Sequence, residues 1–91
     1  MIAAQCKMAR AALDLGVREL ADLAKVSPDT VARLERGEPL RERTSDAIRA
    51  ALESAGVEFI AENGGGPGVR LRKGAPGGTI AADDLNASND E

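Results

Sequence analysis

Four arginines in the middle of the chain carry the most distinctive chemistry of the sequence. They are Arg33, Arg36, Arg41 and Arg43. A guanidinium group can donate two parallel hydrogen bonds to the O6 and N7 atoms of a guanine, and it also binds phosphate oxygens. Glu38 and Glu42 lie among these arginines and offset part of their charge. The stretch is therefore suited to bind base edges or phosphates of a nucleic acid.

The residue types that are missing exclude most catalytic and metal chemistry. The 91 residues include no His, no Trp, no Tyr, one Phe and one Cys, which is Cys6. Zinc sites of the Cys/His kind and Ser-His-Asp or Cys-His catalysis cannot be built from such a chain. A lone Cys forms no internal disulfide, which fits a reducing cytoplasm, and Cys6 lies on an apolar helix face, as a core residue does. We expect no enzyme activity and no cofactor.

The charge is unevenly distributed along the chain. The 12 basic and 15 acidic side chains give a net charge of −3, which is unfavourable for binding nucleic acid. Residues 74–91 hold 4 of the acidic side chains and no basic one, so residues 1–73 carry 12 basic and 11 acidic side chains. The composition of 74–91 predicts a disordered acidic tail. The remaining segment is nearly neutral, and its sequence predicts neither a membrane span nor a signal peptide.

Hydrophobic periodicity predicts four helices within residues 1–56. Their expected ranges are 2–15, 17–25, 28–36 and roughly 44–55. Glycines at 16, 37 and 56 stand where helices are expected to end. Thr44 or Ser45 is expected to cap the fourth helix.

After residue 56 the apolar period changes from 3.6 to 2, which predicts a β-hairpin. Its strands are expected over 57–60 and 69–72, and the glycine-rich run 63–68 joins them. That run is not a phosphate-binding loop, because no Lys-Ser/Thr and no helix follow it. A two-stranded hairpin is marginally stable alone, so it must pack on the helices or pair with a second chain. We favour dimerisation, through Val57, Phe59, Ile60, Val69 and Leu71.

The second and third helices have the spacing of a helix-turn-helix. Ser27 suits the N-cap of the third helix and Pro28 its first position, while the Ser27 and Thr30 hydroxyls suit both capping and phosphate contact. By spacing alone, an ordinary helical hairpin is equally consistent. The residue pattern favours the first interpretation, because it resembles the phage-repressor and Cro-like, or xenobiotic-response-element, family of helix-turn-helix regulators. The matching residues are Leu20-Ala21, Val26-Ser27, Thr30-Val31 and Glu35-x-Gly37.

The resemblance covers about residues 2–73 and implies a fold. It implies a mainly α, lambda-repressor-like helical bundle with a helix-turn-helix, followed by a short C-terminal β-hairpin. We therefore expect a DNA-binding domain over 1–56, a dimerisation hairpin over 57–73 and a tail over 74–91. It also implies a largely buried ion pair between Arg10 and Glu35, with a structural role.

The resemblance further implies which side chains read bases. The family's base-reading positions fall on Pro28, Asp29 and Arg33. Arg33 is the strongest candidate because of its bidentate chemistry; the alternative is an exposed, solvated side chain. Asp29 could accept a hydrogen bond from a cytosine amino group, but we favour stabilisation of the helix start through the dipole.

Phosphate contacts are expected around the same helix. The family usually has Ser or Thr and then Gln at the start of the second helix, where this chain has Gly16 and Val17; Lys25 replaces the family's turn glycine. A phosphate there would rely on backbone N–H groups and Arg18. The predicted DNA-binding residues are Val17, Arg18, Ser27, Pro28, Asp29, Thr30, Arg33, Arg36, Arg41 and Arg43.

These observations favour a cytoplasmic, nucleoid-associated transcriptional regulator, expected to be a repressor. Its partner would be a double-stranded, pseudo-palindromic operator, bound by a homodimer or by a heterodimer with a paralogue, since one recognition helix reads few base pairs. The alternative is a protein-interaction module of the same fold, such as an antitoxin or anti-regulator.

Overall fold

Within residues 1–73, four helices are followed by one short hairpin, as the hydrophobic pattern predicts. The helices are α1 (Ala3–Leu13), α2 (Val17–Ala24), α3 (Pro28–Glu35) and α4 (Glu42–Ala55), and the antiparallel strands are β1 (Val57–Ile60) and β2 (Gly68–Leu71). This computed structural model describes residues 1–73, so the predicted tail over 74–91 lies outside the described residues. Within 1–73, no helix is both long and apolar enough to cross a membrane.

Two helices end on residues in the left-handed conformation. α1 ends two residues earlier than predicted because Asp14 has φ 57°, and its N–H donates to the Ala11 and Arg10 carbonyls. α2 ends in the same way at Lys25, which has φ 62°. Residues other than glycine rarely adopt this backbone conformation, and Lys adopts it less readily than Asp.

The start of α4 differs from the prediction. Glu42 is its first residue, so the expectation that Thr44 or Ser45 caps it is wrong. The extended residue Arg41 precedes the first turn instead, and its carbonyl accepts a hydrogen bond from the Ser45 N–H at 3.0 Å. Both hydroxyl residues therefore lie inside the helix.

One apolar cluster joins all four helices to the first strand. Its members are buried side chains that share one face of each helix, mostly three or four positions apart, together with one residue of β1. They are Cys6, Ala9, Leu13, Leu20, Ala21, Ala24, Val31, Leu34, Ile48, Leu52 and Val57. Val57 is fully buried in this cluster, so its side chain packs within its own chain and is not exposed to a second one.

The hairpin packs on the helices of its own chain. Phe59 and Val69 are partners in the register, and both pack against the apolar cluster, whereas Leu71 is 38% exposed. Buried Gln5 on α1 connects to the loop end of the hairpin, because its Nε2 donates to the carbonyls of Ile60 at 3.3 Å and Gly68 at 3.0 Å. The hairpin therefore packs on the helices, and dimerisation through it stays a prediction.

Candidate nucleic-acid interface

α3 buries one side and exposes the other. Val31 and Leu34 face the apolar cluster, where helix spacing places them together. Pro28, Asp29 and Arg33 are exposed. The three side chains predicted to read bases therefore lie on the solvent-facing part of α3.

The start of α3 is capped as the sequence predicts. The Ser27 Oγ accepts a hydrogen bond from the Thr30 N–H at 3.1 Å, and Pro28 occupies the first turn. The Ser27 and Thr30 hydroxyl oxygens also lie 2.8 Å apart. Both hydroxyls thus have local partners, and Asp29 lies in the first turn, where its charge is favourable to the helix dipole.

An open groove separates α3 from the beginning of α4. It has a volume of about 270 Å³ and includes two arginines and two threonines among its lining residues: Thr30, Arg33, Pro39, Leu40, Arg41 and Thr44. The structure thus brings Arg33, Arg41 and Thr30 together. Thr44 is an addition that sequence reasoning missed as a site residue, and the exposed Arg43 does not line this groove.

Arg33 and Arg36 share the carboxylate of Glu38, which by its charge alone would only offset the arginines. The Nε of Arg33 lies 3.2 Å from Glu38 Oε1, and the Nε of Arg36 lies 2.8 Å from Glu38 Oε2. The hydrogen bonds from Arg36 and Arg33 lower the pKa of Glu38. The residue in the sequence that could have indicated this contact is Gly37. Its φ of 86° turns the chain back toward the end of α3.

The start of α2 differs from the phosphate site that the resemblance implied. The Gly16 N–H donates to the Glu19 carboxylate at 2.7 Å, so an acidic side chain already occupies this end of the helix. Val17 is partly buried against the apolar cluster, which leaves little of its side chain for a ligand. Arg18 is exposed.

An ion pair fixes α3 to α1, as expected. Arg10 donates to Glu35 through Nε at 2.7 Å and Nη2 at 2.8 Å, and through Nη1 to the Leu15 carbonyl at 3.1 Å. The Cys6 Sγ also donates to Glu35, at 3.2 Å. This cluster lies on the inner side of α3, so it positions the helix and is not part of its exposed surface.

This geometry shifts the pKa values of Glu35 and Cys6. Burial would raise the pKa of Glu35, but the hydrogen bonds from Arg10 and Cys6 outweigh it and lower the pKa. Burial, together with the hydrogen bond to Glu35, raises the pKa of Cys6 to about 12. Cys6 is therefore a protonated donor at neutral pH, and its thiol is not poised for redox chemistry.

Comparison with known proteins adds no assignment to these residues. No family model matches the chain, and no curated protein matches it either.

Proposed function

We propose that this chain is a sequence-specific regulator that binds double-stranded DNA as a dimer, with α3 lying in the major groove. The observation that carries the proposal is the exposed side of α3. Its N-terminal residues and Arg33 face solvent, while Val31, Leu34 and the Arg10–Glu35 pair hold its other side against the protein. A rigidly held helix with an exposed N-terminal part is what readout in the major groove requires.

Arg33 is the side chain that we assign to base readout. Its planar fork can bridge guanine O6 and N7, which is worth about 1–3 kcal/mol of discrimination against another base. Arg41 lines the same groove as Arg33, and we assign it to the phosphate backbone together with Arg36 and Arg43. Contacts of this second kind fix the register of a protein on DNA without reading sequence.

A dimer is part of the proposal because a single α3 contacts too few base pairs for useful specificity. Each hairpin strand pairs only with the other among residues 1–73, so both strands have an open edge. The exposed Leu71 and the partly buried Ile60 remain the hairpin side chains suited to a second chain. The partner is a second copy or a paralogue, and occupation of an operator at a promoter would make the protein a repressor at the nucleoid.

One observation favours the alternative of a protein-binding module. The Glu19 carboxylate already takes the Gly16 N–H, and Asp29 adds a negative charge to the start of α3. Both would oppose a phosphate, whereas a basic surface on a partner protein would fit them. An antitoxin or anti-regulator of this kind would bind DNA weakly and its protein partner tightly.

Selection of duplexes from a random pool tests the proposal. We expect the full chain to enrich an inverted repeat whose half-sites lie about 10 base pairs apart, because two copies of α3 would enter successive major grooves. A single enriched half-site would contradict the dimer. Equal retention of all sequences, or of none, would contradict sequence-specific binding and favour the alternative.

A further inference from the structure

We infer that Glu38 is a positioning residue for DNA recognition, which holds Arg33 and Arg36 by their inner nitrogens and leaves their outer edges for bases and phosphates. This inference rests on the proposed function, because it concerns how the arginines of α3 are presented to DNA. Glu38 thus has a role in binding DNA, although its negative charge alone would oppose contact with phosphates.

The backbone fixes Glu38 next to the end of α3. The Glu38 N–H donates to the Arg33 carbonyl at 3.0 Å, and the Gly37 N–H donates to the Leu34 carbonyl at 3.0 Å. Gly37 has φ 86°, a conformation that favours glycine. The Glu38 side chain therefore starts from an anchored point and not from a freely moving loop.

The arginine nitrogens that contact Glu38 determine which of their N–H groups remain free to bind DNA. Glu38 meets each arginine at Nε, at 3.2 Å for Arg33 and 2.8 Å for Arg36. Within residues 1–73, the Nη groups of these two arginines form no hydrogen bond. A guanidinium held at Nε can still present both Nη groups, and two parallel donors are what bidentate recognition uses.

Solvent exposure places these groups where a duplex can reach them. The side chains of Arg33, Arg36 and Glu38 are 44%, 55% and 42% exposed. A long exposed arginine samples many rotamers, and ordering it on binding has an entropic cost that prior positioning reduces. The carboxylate also repels phosphates from the arginines, so it weakens random contacts more than a well-placed base contact.

A variant that neutralises Glu38 distinguishes its effect on the position of the arginines from the effect of its charge on DNA binding. For Glu38→Gln we expect tighter binding to random duplexes and a ratio of specific to nonspecific affinity that falls about fivefold. The matched control is Glu42→Gln, which removes the same charge from a residue that forms no ion pair within 1–73. It should tighten binding to both kinds of duplex and leave the ratio unchanged. Thermal unfolding of both variants shows whether each is folded.

A second variant tests the coupling between Glu38 and Arg33. In an Arg33→Ala background, Glu38→Gln should lower the ratio by less than it does in the wild type, because one of the positioned arginines is gone. If Glu38→Gln changes the ratio no more than Glu42→Gln does, the inference is wrong while the proposed function stands. If the wild-type chain selects no sequence at all, the proposed function fails and this inference fails with it.

Discussion

At the scale of single residues, the cluster of Arg10, Glu35 and Cys6 shows how a charge is kept inside a small core. Glu35 is only 9% exposed and takes hydrogen bonds from both partners. A charge removed from water in this way is tolerable only while its partners remain. The cluster therefore makes the position of α3 depend on α1, and through it the presentation of Arg33.

Arg10→Ala should lower the free energy of unfolding by roughly 3 kcal/mol, because it leaves the Glu35 carboxylate buried without its main partner. The matched control is Arg70→Ala, which breaks the exposed pair with Glu58 and should cost less than about 1 kcal/mol. Urea unfolding at neutral pH measures both. Equal losses would contradict the structural role of the pair.

The same pair has a defined pH dependence. The pKa of Glu35 is lowered in the folded chain, so its contribution to stability is present above the unfolded value of about 4.3 and is lost as pH falls through the folded value. Arg10→Ala removes the hydrogen bond that most lowers this pKa. The difference in stability between wild type and Arg10→Ala should therefore shrink as the pH is lowered below about 4.

At the scale of elements, the turn between α2 and α3 carries local backbone strain at a residue that is not glycine. Lys25 has φ 62° and ψ 41°, and its side chain is exposed. A residue other than Gly, Asn or Asp in this conformation costs about 1–2 kcal/mol. The turn thus contains a residue in the left-handed backbone conformation that is not glycine. The direction of α3 depends on this conformation.

Lys25→Gly should stabilise the fold by about 1 kcal/mol, as the gain from relieved strain exceeds the entropy that glycine adds to the unfolded chain. Asp14→Gly is the control, since Asp14 ends α1 with nearly the same angles, φ 57° and ψ 42°. Its gain should be smaller because Asp tolerates this conformation better. The midpoints of denaturant unfolding measure the stability of both variants. A loss of stability in Lys25→Gly would show that the turn is not strained.

Local signals allowed most of the elements to be predicted, and long-range contacts account for what was missed. The period of the apolar residues indicated four helices, and Ser27-Pro28 indicated the start of α3. Thr44 and Ser45 look like caps, yet the extended backbone at Arg41 starts α4 earlier. No local rule could report the bonds from Gln5 to the hairpin, since they join residues 55 and 63 positions apart.

The candidate site likewise has some features that the sequence predicts and others that depend on contacts in the folded chain. The resemblance selected Arg33 as a base-reading candidate, and the structure places it on the exposed side of α3, away from buried Val31 and Leu34. The bridging contacts of Glu38 depend on how Gly37 reverses the chain, and the occupied start of α2 depends on a side-chain rotation at Glu19. Such contacts change what a cluster of charges can bind, although composition shows only the charges.

At the scale of the whole molecule, the hairpin and the helices form one folded unit over residues 1–73. Val57 is fully buried with the helix side chains, and Gln5 bonds to the hairpin loop end, so the hairpin packs on the helices across the division at residue 56. Dimerisation must therefore be tested in a chain that retains the hairpin. The 12 basic and 11 acidic side chains of this unit nearly cancel, so in the proposed complex with DNA direct contacts would have to supply most of the specificity.

The most direct test of the central claim is the effect of Arg33→Ala on the ratio of affinities for a selected duplex and a scrambled one, measured at fixed salt. If α3 reads bases through Arg33, the ratio should fall about tenfold, because one bidentate contact is lost. Arg70→Ala, which removes an exposed charge from the hairpin, should leave the ratio unchanged. An unchanged ratio in Arg33→Ala would contradict the claim that Arg33 on α3 reads the DNA sequence.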